Sequence, residues 1–265
     1  MRRRILAFAS LGTLAIGLAC GSFATESANS AGDAGVDGVA PADGGGGSDA
    51  VTPLPALDAG CTVLLDEDFT NGLKTLSDES FDGDGGSIGV DGGALVAVVG
   101  VLNGEGEAEV QADFPTNGNA EYGLSFVVTD LQPPPAGWEN ATVGCVAEFD
   151  PQGSEARVRA RSQNGELKFE VSRGGNQKTR DVGNVPTTKT VVKFAIRMTY
   201  VDGKVTGELA LDGGPFSTTP VSHDAGGPGR PLRIKCGFDF AQTSQIPTAP
   251  YVRTIDDVRL VRCPL

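Results

Sequence analysis

The sequence predicts an all-β domain built as a two-sheet antiparallel sandwich, and three observations carry that prediction. Apolar residues recur with period two over most of residues 61–265. Gly, Asp, Asn and Pro punctuate those runs at turn spacing, and no stretch shows a helical period longer than a turn or two. Val192, Phe194, Ile196, Met198 and Tyr200 alternate with Lys193, Ala195, Arg197 and Thr199. Leu232, Ile234, Cys236, Phe238 and Phe240 alternate likewise, as do Val205, Gly207, Leu209 and Leu211. Successive strand side chains point to opposite faces, so each segment has one core face and one exposed face. Asn164-Gly165 lies between SEARVRARS and ELKFEVS, and Asp202-Gly203 between FAIRMTY and KVTGELAL. Both dipeptides supply the positive φ that two-residue hairpin turns require. The run 94–102 is more continuously apolar and suits a central strand. About twelve strands with such turns favour two packed sheets.

Three zones precede the domain. Arg2, Arg3 and Arg4 form a basic start, residues 5–18 an uncharged and mostly apolar run, and Ala19 a small residue before Cys20. The apolar run falls short of the ~20 residues that span a bilayer, and the pattern reads as a secretory signal over residues 1–19. The segment Ile16-Gly17-Leu18-Ala19-Cys20 resembles the lipobox of bacterial lipoproteins, with Gly17 standing where a larger aliphatic residue is commoner. That resemblance implies cleavage before Cys20, lipidation of its thiol and membrane attachment through the lipid. Residue 21 is Gly rather than Asp, which by the usual sorting of such proteins implies the outer membrane.

Residues 20–60 form a linker of Ala, Gly, Asp, Ser and Pro, with four glycines at 44–47. Such a composition has too little apolar surface to offset chain entropy. As a coil, its length corresponds to roughly 35 Å root-mean-square, enough to hold a domain off a membrane.

The chain carries 34 acidic and 21 basic residues, net −13. Loss of Arg2–Arg4 leaves 34 acids against 18 bases, net −16; removing the six linker acids leaves 28 against 18, net −10, for residues 61–265. An acidic domain disfavours nucleic acid and anionic membrane surfaces as partners. Of five cysteines, four remain beyond Cys20, and an even number in an exported domain reads as two disulfides. Of the three pairings, Cys61–Cys263 with Cys145–Cys236 is favoured, because Cys61 opens the first strand and Cys263 closes the last. Metal binding is the rival, without CxxC or Cys/His spacing to support it.

LLDEDFTNGL (64–73), DGGALVAV (91–98), the hairpin VVKFAIRMTYVDGKVTGELALDGG and the terminal IDDVRLVR (255–262) occur in an order that resembles the concanavalin A-like jelly rolls of lectins, laminin-G-type domains and glucanases. The IDDV ending also resembles carbohydrate-binding modules of the same shape. The resemblance implies a jelly roll over 61–265 whose first and last strands pair, which again favours Cys61–Cys263.

Glucanases of this type carry carboxylates at i, i+2 and i+4 of one strand, as nucleophile and acid/base. Here the run is Glu148-Phe-Asp150-Pro-Gln152: two positions match, but Gln152 cannot donate a proton, and Pro151 suggests the strand is ending. No catalytic residue is assigned, and the expectation is a non-enzyme. His223 reads as a surface-loop residue, and Asp82-Gly-Asp84 as turn chemistry. No motif demands a cofactor, although related sandwiches often hold a structural Ca²⁺ where first and last strands meet. On that resemblance Glu67 or Asp68 and Asp256 or Asp257 are candidate oxygen ligands, the alternative being a strand-end cap at Asp256 with the others solvated.

For a glycan, Trp138 in its Pro-rich loop is a stacking platform or a plug at the core edge. Arg157, Arg159 and Arg161 share one strand face opposite Ala156, Val158 and Ala160, with Glu166, Lys168 and Glu170 across the turn. They form cross-strand ion pairs on a solvated face or line a groove for acidic polysaccharide. The expected function is a non-catalytic domain that binds a glycan or another envelope component; a structural or adhesion module without a small ligand is the alternative, and a glycan-active hydrolase or lyase the third reading.

Overall fold

The computed structural model describes residues 60–82, 86–99, 105–116, 118–129, 136, 138–149, 156–163, 166–173, 176–184, 191–224, 231–242 and 251–265. The expected signal segment 1–19, Cys20 and all of the expected linker but Gly60 lie outside the described residues.

Fifteen strands and no helix form among the described residues, somewhat more strands than the sequence suggests. One sheet runs in the order β13 (Val221–Asp224), β12 (Lys204–Leu211), β11 (Val191–Val201), β6 (Ala120–Thr129), β15 (Tyr251–Cys263), β4 (Ala94–Val99), β3 (Gly86–Asp91). The strand β1 (Thr62–Glu67) also pairs with β15, completing eight strands. The second sheet has seven: β10 (Asn176–Asn184), β9 (Glu166–Arg173), β8 (Ala156–Gln163), β7 (Trp138–Phe149), β14 (Pro231–Gln242), β5 (Glu105–Pro115), β2 (Ser77–Asp82). All pairings are antiparallel.

Period two does what the sequence promises. In β11 the residues from Val192 to Tyr200 alternate buried and half-buried, with Val192, Phe194, Ile196, Met198 and Tyr200 inside. The hairpin from β11 to β12 turns on Asp202 (φ 48°) and Gly203 (φ 78°), which places Val201 opposite Lys204. Positive φ at both positions twists the turn with the strands instead of splaying them. Phe149 of the seven-stranded sheet stacks on Tyr200 of the other at 5.5 Å and meets the Tyr122 ring edge-on at 5.9 Å, so aromatic contacts tie the layers together. Gly207 faces the same core, where a Cβ would lie 3.0 Å from Phe169, Val158 and Val171, so the absent side chain lets the sheets approach.

Both favoured disulfides are present. Cys61–Cys263 joins the start of β1 to the end of β15, and Cys145–Cys236 joins directly opposed residues of β7 and β14. They close loops of 202 and 91 residues. In the chain-entropy account each contributes about 5 kcal/mol by restricting the unfolded chain.

Candidate functional site

The outward face of the seven-stranded sheet collects most of the polar residues singled out in the sequence. In β8, Ala156, Val158 and Ala160 are fully buried, so Arg157, Arg159 and Arg161 point outward. The two-residue connection to β9 sets Gln163 opposite Glu166, Arg161 opposite Lys168 and Arg159 opposite Glu170. Lys168 therefore shares the arginine face, whereas Arg173 falls at the opposite parity. On the other flank β7 adds Gly144, Val146 and Glu148, then β14 adds Arg233, Lys235 and Gly237, and β5 adds Glu109 and Asp113.

Charges of opposite sign meet across these strands. Arg159 Nη2 donates to Oε2 of the buried Glu170 at 3.2 Å, and Arg161 Nη2 lies 3.7 Å from the same oxygen. Arg157 reaches Glu148 at 3.2 Å. Lys235 stands between Glu109 at 2.8 Å and Glu148 at 4.0 Å. Arg233 donates twice to Asp113, at 2.7 and 3.0 Å, and holds that carboxyl below its ordinary range. The expectation of cross-strand Arg–Glu pairing is met.

Between these walls the face dips. Gly144 of β7 sits directly opposite Gly237 of β14, one step from the Cys145–Cys236 bond. A Cβ on Gly144 would fall 2.3 Å from the Ala160 carbonyl oxygen, and one on Gly237 2.1 Å from that of Ala108. Only glycine fits at either place, and both glycines line a hollow of about 50 Å³ together with Glu109, Arg159, Arg161 and Lys235 among others. That is room for about four waters at 10–15 Å³ each. Sequence reasoning missed Glu109, Lys235, Gly144 and Gly237.

The other candidates lie elsewhere. Pairing of β1 with β15 brings the chain's first and last carboxylates into one region, as expected, with Glu67 opposite Val258. Their geometry does not fit a calcium cage, which needs six to eight oxygens about one point. The buried Glu67 carboxylate accepts the backbone N–H groups of Lys74 and Leu76, each at 3.1 Å, and that of Thr75, and so fixes the loop after β1. Asp68 accepts from Lys74 Nζ at 2.7 Å and from the hydroxyl and amide of Thr70. These partners bring its carboxyl down to about 2. Asp256 and Asp257 are pushed the other way, chiefly by burial and further by neighbouring carboxylates including Asp68. Among the described residues no three His, Cys, Asp or Glu side chains converge to hold a metal ion.

Glu148 is on the outward face, while Asp150, Gln152 and Glu155 lie outside the described residues, as does Asp84. Trp138 begins β7 opposite Gln242; its side chain lies outside the described residues. His223 belongs to the edge strand β13, opposite Val205, and not to a loop. Its Nδ1 lies 3.4 Å from the Asp224 carbonyl.

Solved structures share this architecture. SCLam, a non-specific endo-β-1,3(4)-glucanase from family GH16, superposes with a TM-score of 0.53 at 9% identity, over 78% of this chain and 92% of its own. The laminarinase from Flavobacterium sp. UMI-01 gives 0.52 at 10%, over 77% and 100%. The domain has the jelly-roll sandwich fold of these structures, which is the concanavalin A-like fold expected from the sequence. A CBM2 module of the evolved Dit of Lactobacillus casei BL23 phage J-1 reaches 0.50 at 11%, over 76% of this jelly-roll chain and 96% of its own. Identities this low establish the fold alone. No family model matches the chain, and no curated protein matches it.

Proposed function

We propose that this chain is an exported bacterial lipoprotein, anchored through lipid on Cys20 in the outer membrane, whose jelly roll binds a glycan without cleaving it. The observation that carries the glycan reading is the glycine-floored hollow on the outward sheet face, walled by Arg159 and Arg161 on one side and by Lys235 and Glu109 on the other. Planar and charged groups held rigid on strands suit the recognition of sugar substituents. The fold is shared with a glucanase, a laminarinase and a CBM2 module, which supports a glycan-related role. The basic and apolar start, the residues around Cys20 and the Gly-rich linker support the anchor.

The non-catalytic half of the proposal rests on the carboxylates. Glycoside hydrolysis needs two of them about 5–9.5 Å apart, one able to deliver a proton and one facing the sugar or a water. Glu109, Glu148 and Glu170 each lie against Lys or Arg, and residue 152 is Gln. The test is an affinity screen of the full chain in detergent micelles against neutral and acidic glycans, with product analysis of each mixture. Binding without release of shorter sugars is expected. Absence of binding throughout would leave the structural or adhesion role, and chain shortening would make the protein an enzyme.

A further inference from the structure

We propose that the hollow seats the acetamido group of a 2-acetamido sugar; this rests on the glycan-binding reading above. Strand register is the first support. Arg161, Gly144, Gly237 and Glu109 stand in one row across β8, β7, β14 and β5, and Arg159, Val146 and Lys235 stand in the next. The middle of the first row is therefore glycine, and beside it the Val146 side chain puts an apolar wall between two basic residues. A methyl group that enters the hollow meets this isopropyl group and leaves water.

The second support is a donor on one side and an acceptor on the other. Nη2 of Arg159 serves Glu170, but its buried Nε has no hydrogen-bond partner among the described residues. The side chain is 23% exposed, so a small turn presents that N–H to the hollow it lines. A buried N–H without an acceptor is destabilising, and a ligand carbonyl removes the penalty. Across the floor, Glu109 meets Lys235 through Oε2 at 2.8 Å, and a carboxylate has about four lone-pair sites with which to accept. An acetamido group answers both: its carbonyl oxygen accepts and its N–H donates. It is also neutral, so the ion pairs around the hollow stay closed. A hydroxyl meets the donor or the acceptor but brings nothing for Val146. Size is the third support. A space of about 50 Å³ admits an acetamido group but not a sugar ring, so the ring lies on the rim and its substituent enters.

The decisive comparison changes the ligand and leaves the protein alone. The full chain in micelles is titrated calorimetrically with tetra-N-acetylchitotetraose and with cellotetraose. These share one β-1,4 backbone and differ only in carrying an acetamido group or a hydroxyl at C2. The acetamido form is expected to bind about tenfold or more tighter, ~1.4 kcal/mol. R159K keeps a positive charge beside Glu170 but loses the planar Nε donor, and is expected to abolish that preference. K204Q, an exposed change on the other sheet, leaves it intact. Equal affinity for the two tetrasaccharides, or binding of neither while another glycan binds, overturns the proposal but leaves glycan binding standing. A preference that R159K does not alter does the same. No binding to any glycan overturns both. The tetrasaccharide pair decides the matter even if R159K does not fold.

Discussion

Carboxylates occupy two regions of this domain in opposite ways. On the outward face of the seven-stranded sheet, Glu109, Glu148 and Glu170 are largely buried, yet each has a cation within 4.0 Å, delivered by the strand register. At the seam of β1 and β15, Asp256 and Asp257 are half-buried beside Asp66 and Asp68, and their carboxyls are pushed up by burial and by those like charges. Lys193 offsets this only at Asp257. Burial of charge is thus matched on one surface and left unmatched on the other. The matched region is regular strand, where period two and register bring a basic residue opposite an acidic one. The unmatched one is a bulge, where the pairing of β15 with β6 slips between Asp256 and Arg259 and Asp257 takes a φ of 50°. Regular register makes charge pairing cheap to arrange; a bulge breaks that arithmetic.

The largest expected effect tests whether the matched face is fixed by its backbone. A Cβ on Gly237 would lie 2.1 Å from the Ala108 carbonyl oxygen and 2.8 Å from Glu109 Cα, both backbone atoms that cannot swing aside. G237A is expected to cost about 3 kcal/mol or more, a fall in Tm of roughly 6–12 °C. G89A, where a new Cβ meets nothing within 4 Å, is the control and should leave Tm within about a degree. Comparable melting of G237A and G89A would show that the floor is pliable and the hollow not a built feature.

Next comes the ion cluster itself. Glu170 is 2% exposed and is the shared partner of Arg159 and Arg161. E170Q keeps the shape and leaves both guanidiniums without their anion. Breaking a fully buried pair costs about 3–5 kcal/mol; because both arginines are partly exposed, about 2 kcal/mol is expected, seen as a Tm lower by roughly 4–8 °C. A neutral result in thermal melts would place this face among ordinary surface ion pairs.

How far the sequence reveals each region follows from the same physics. Period two placed the core face of β8, β11 and β12, and Asp202-Gly203 placed a hairpin, because both signals are local. The arginine row was legible for that reason. Its partners on β7, β14 and β5 were not, since pairing between strands remote in sequence leaves no local trace. One long-range clue existed: Cys145 opposite Cys236 in an antiparallel pair forces Gly144 opposite Gly237, and so marks the hollow. The carboxylates at the seam were correctly brought together by strand pairing. What the sequence did not show is the loop after β1, whose amide groups claim Glu67 and whose Lys74 claims Asp68; no sequence period announces such contacts.

The smallest effect has the most informative sign. Asp256 binds its proton up to a higher pH in the folded protein than in the unfolded chain, because burial and the charges of Asp257 and Asp68 oppose ionisation. Across the window from the ordinary value of 3.8 to the raised one, the folded state holds more protons, so stability falls as pH rises and stays reduced above it. D256N removes the charge, and its side-chain oxygen still accepts the Asp257 amide, 2.7 Å away in the native protein. It should raise Tm at pH 7 by about 1–2 °C, and the gain should vanish below the ordinary value, where the native residue is protonated in both states. D113N is the mirror image. Arg233 lowers the Asp113 carboxyl, so its contribution is present at neutral pH and fades as pH falls through the lowered value. This substitution should lower Tm at pH 7 and lose its effect in acid. Opposite signs from the same chemical change at two sites would establish the contrast between matched and unmatched burial; a lower Tm for D256N at pH 7 would mean that its carboxylate is held by an attraction at the seam, and the contrast would collapse.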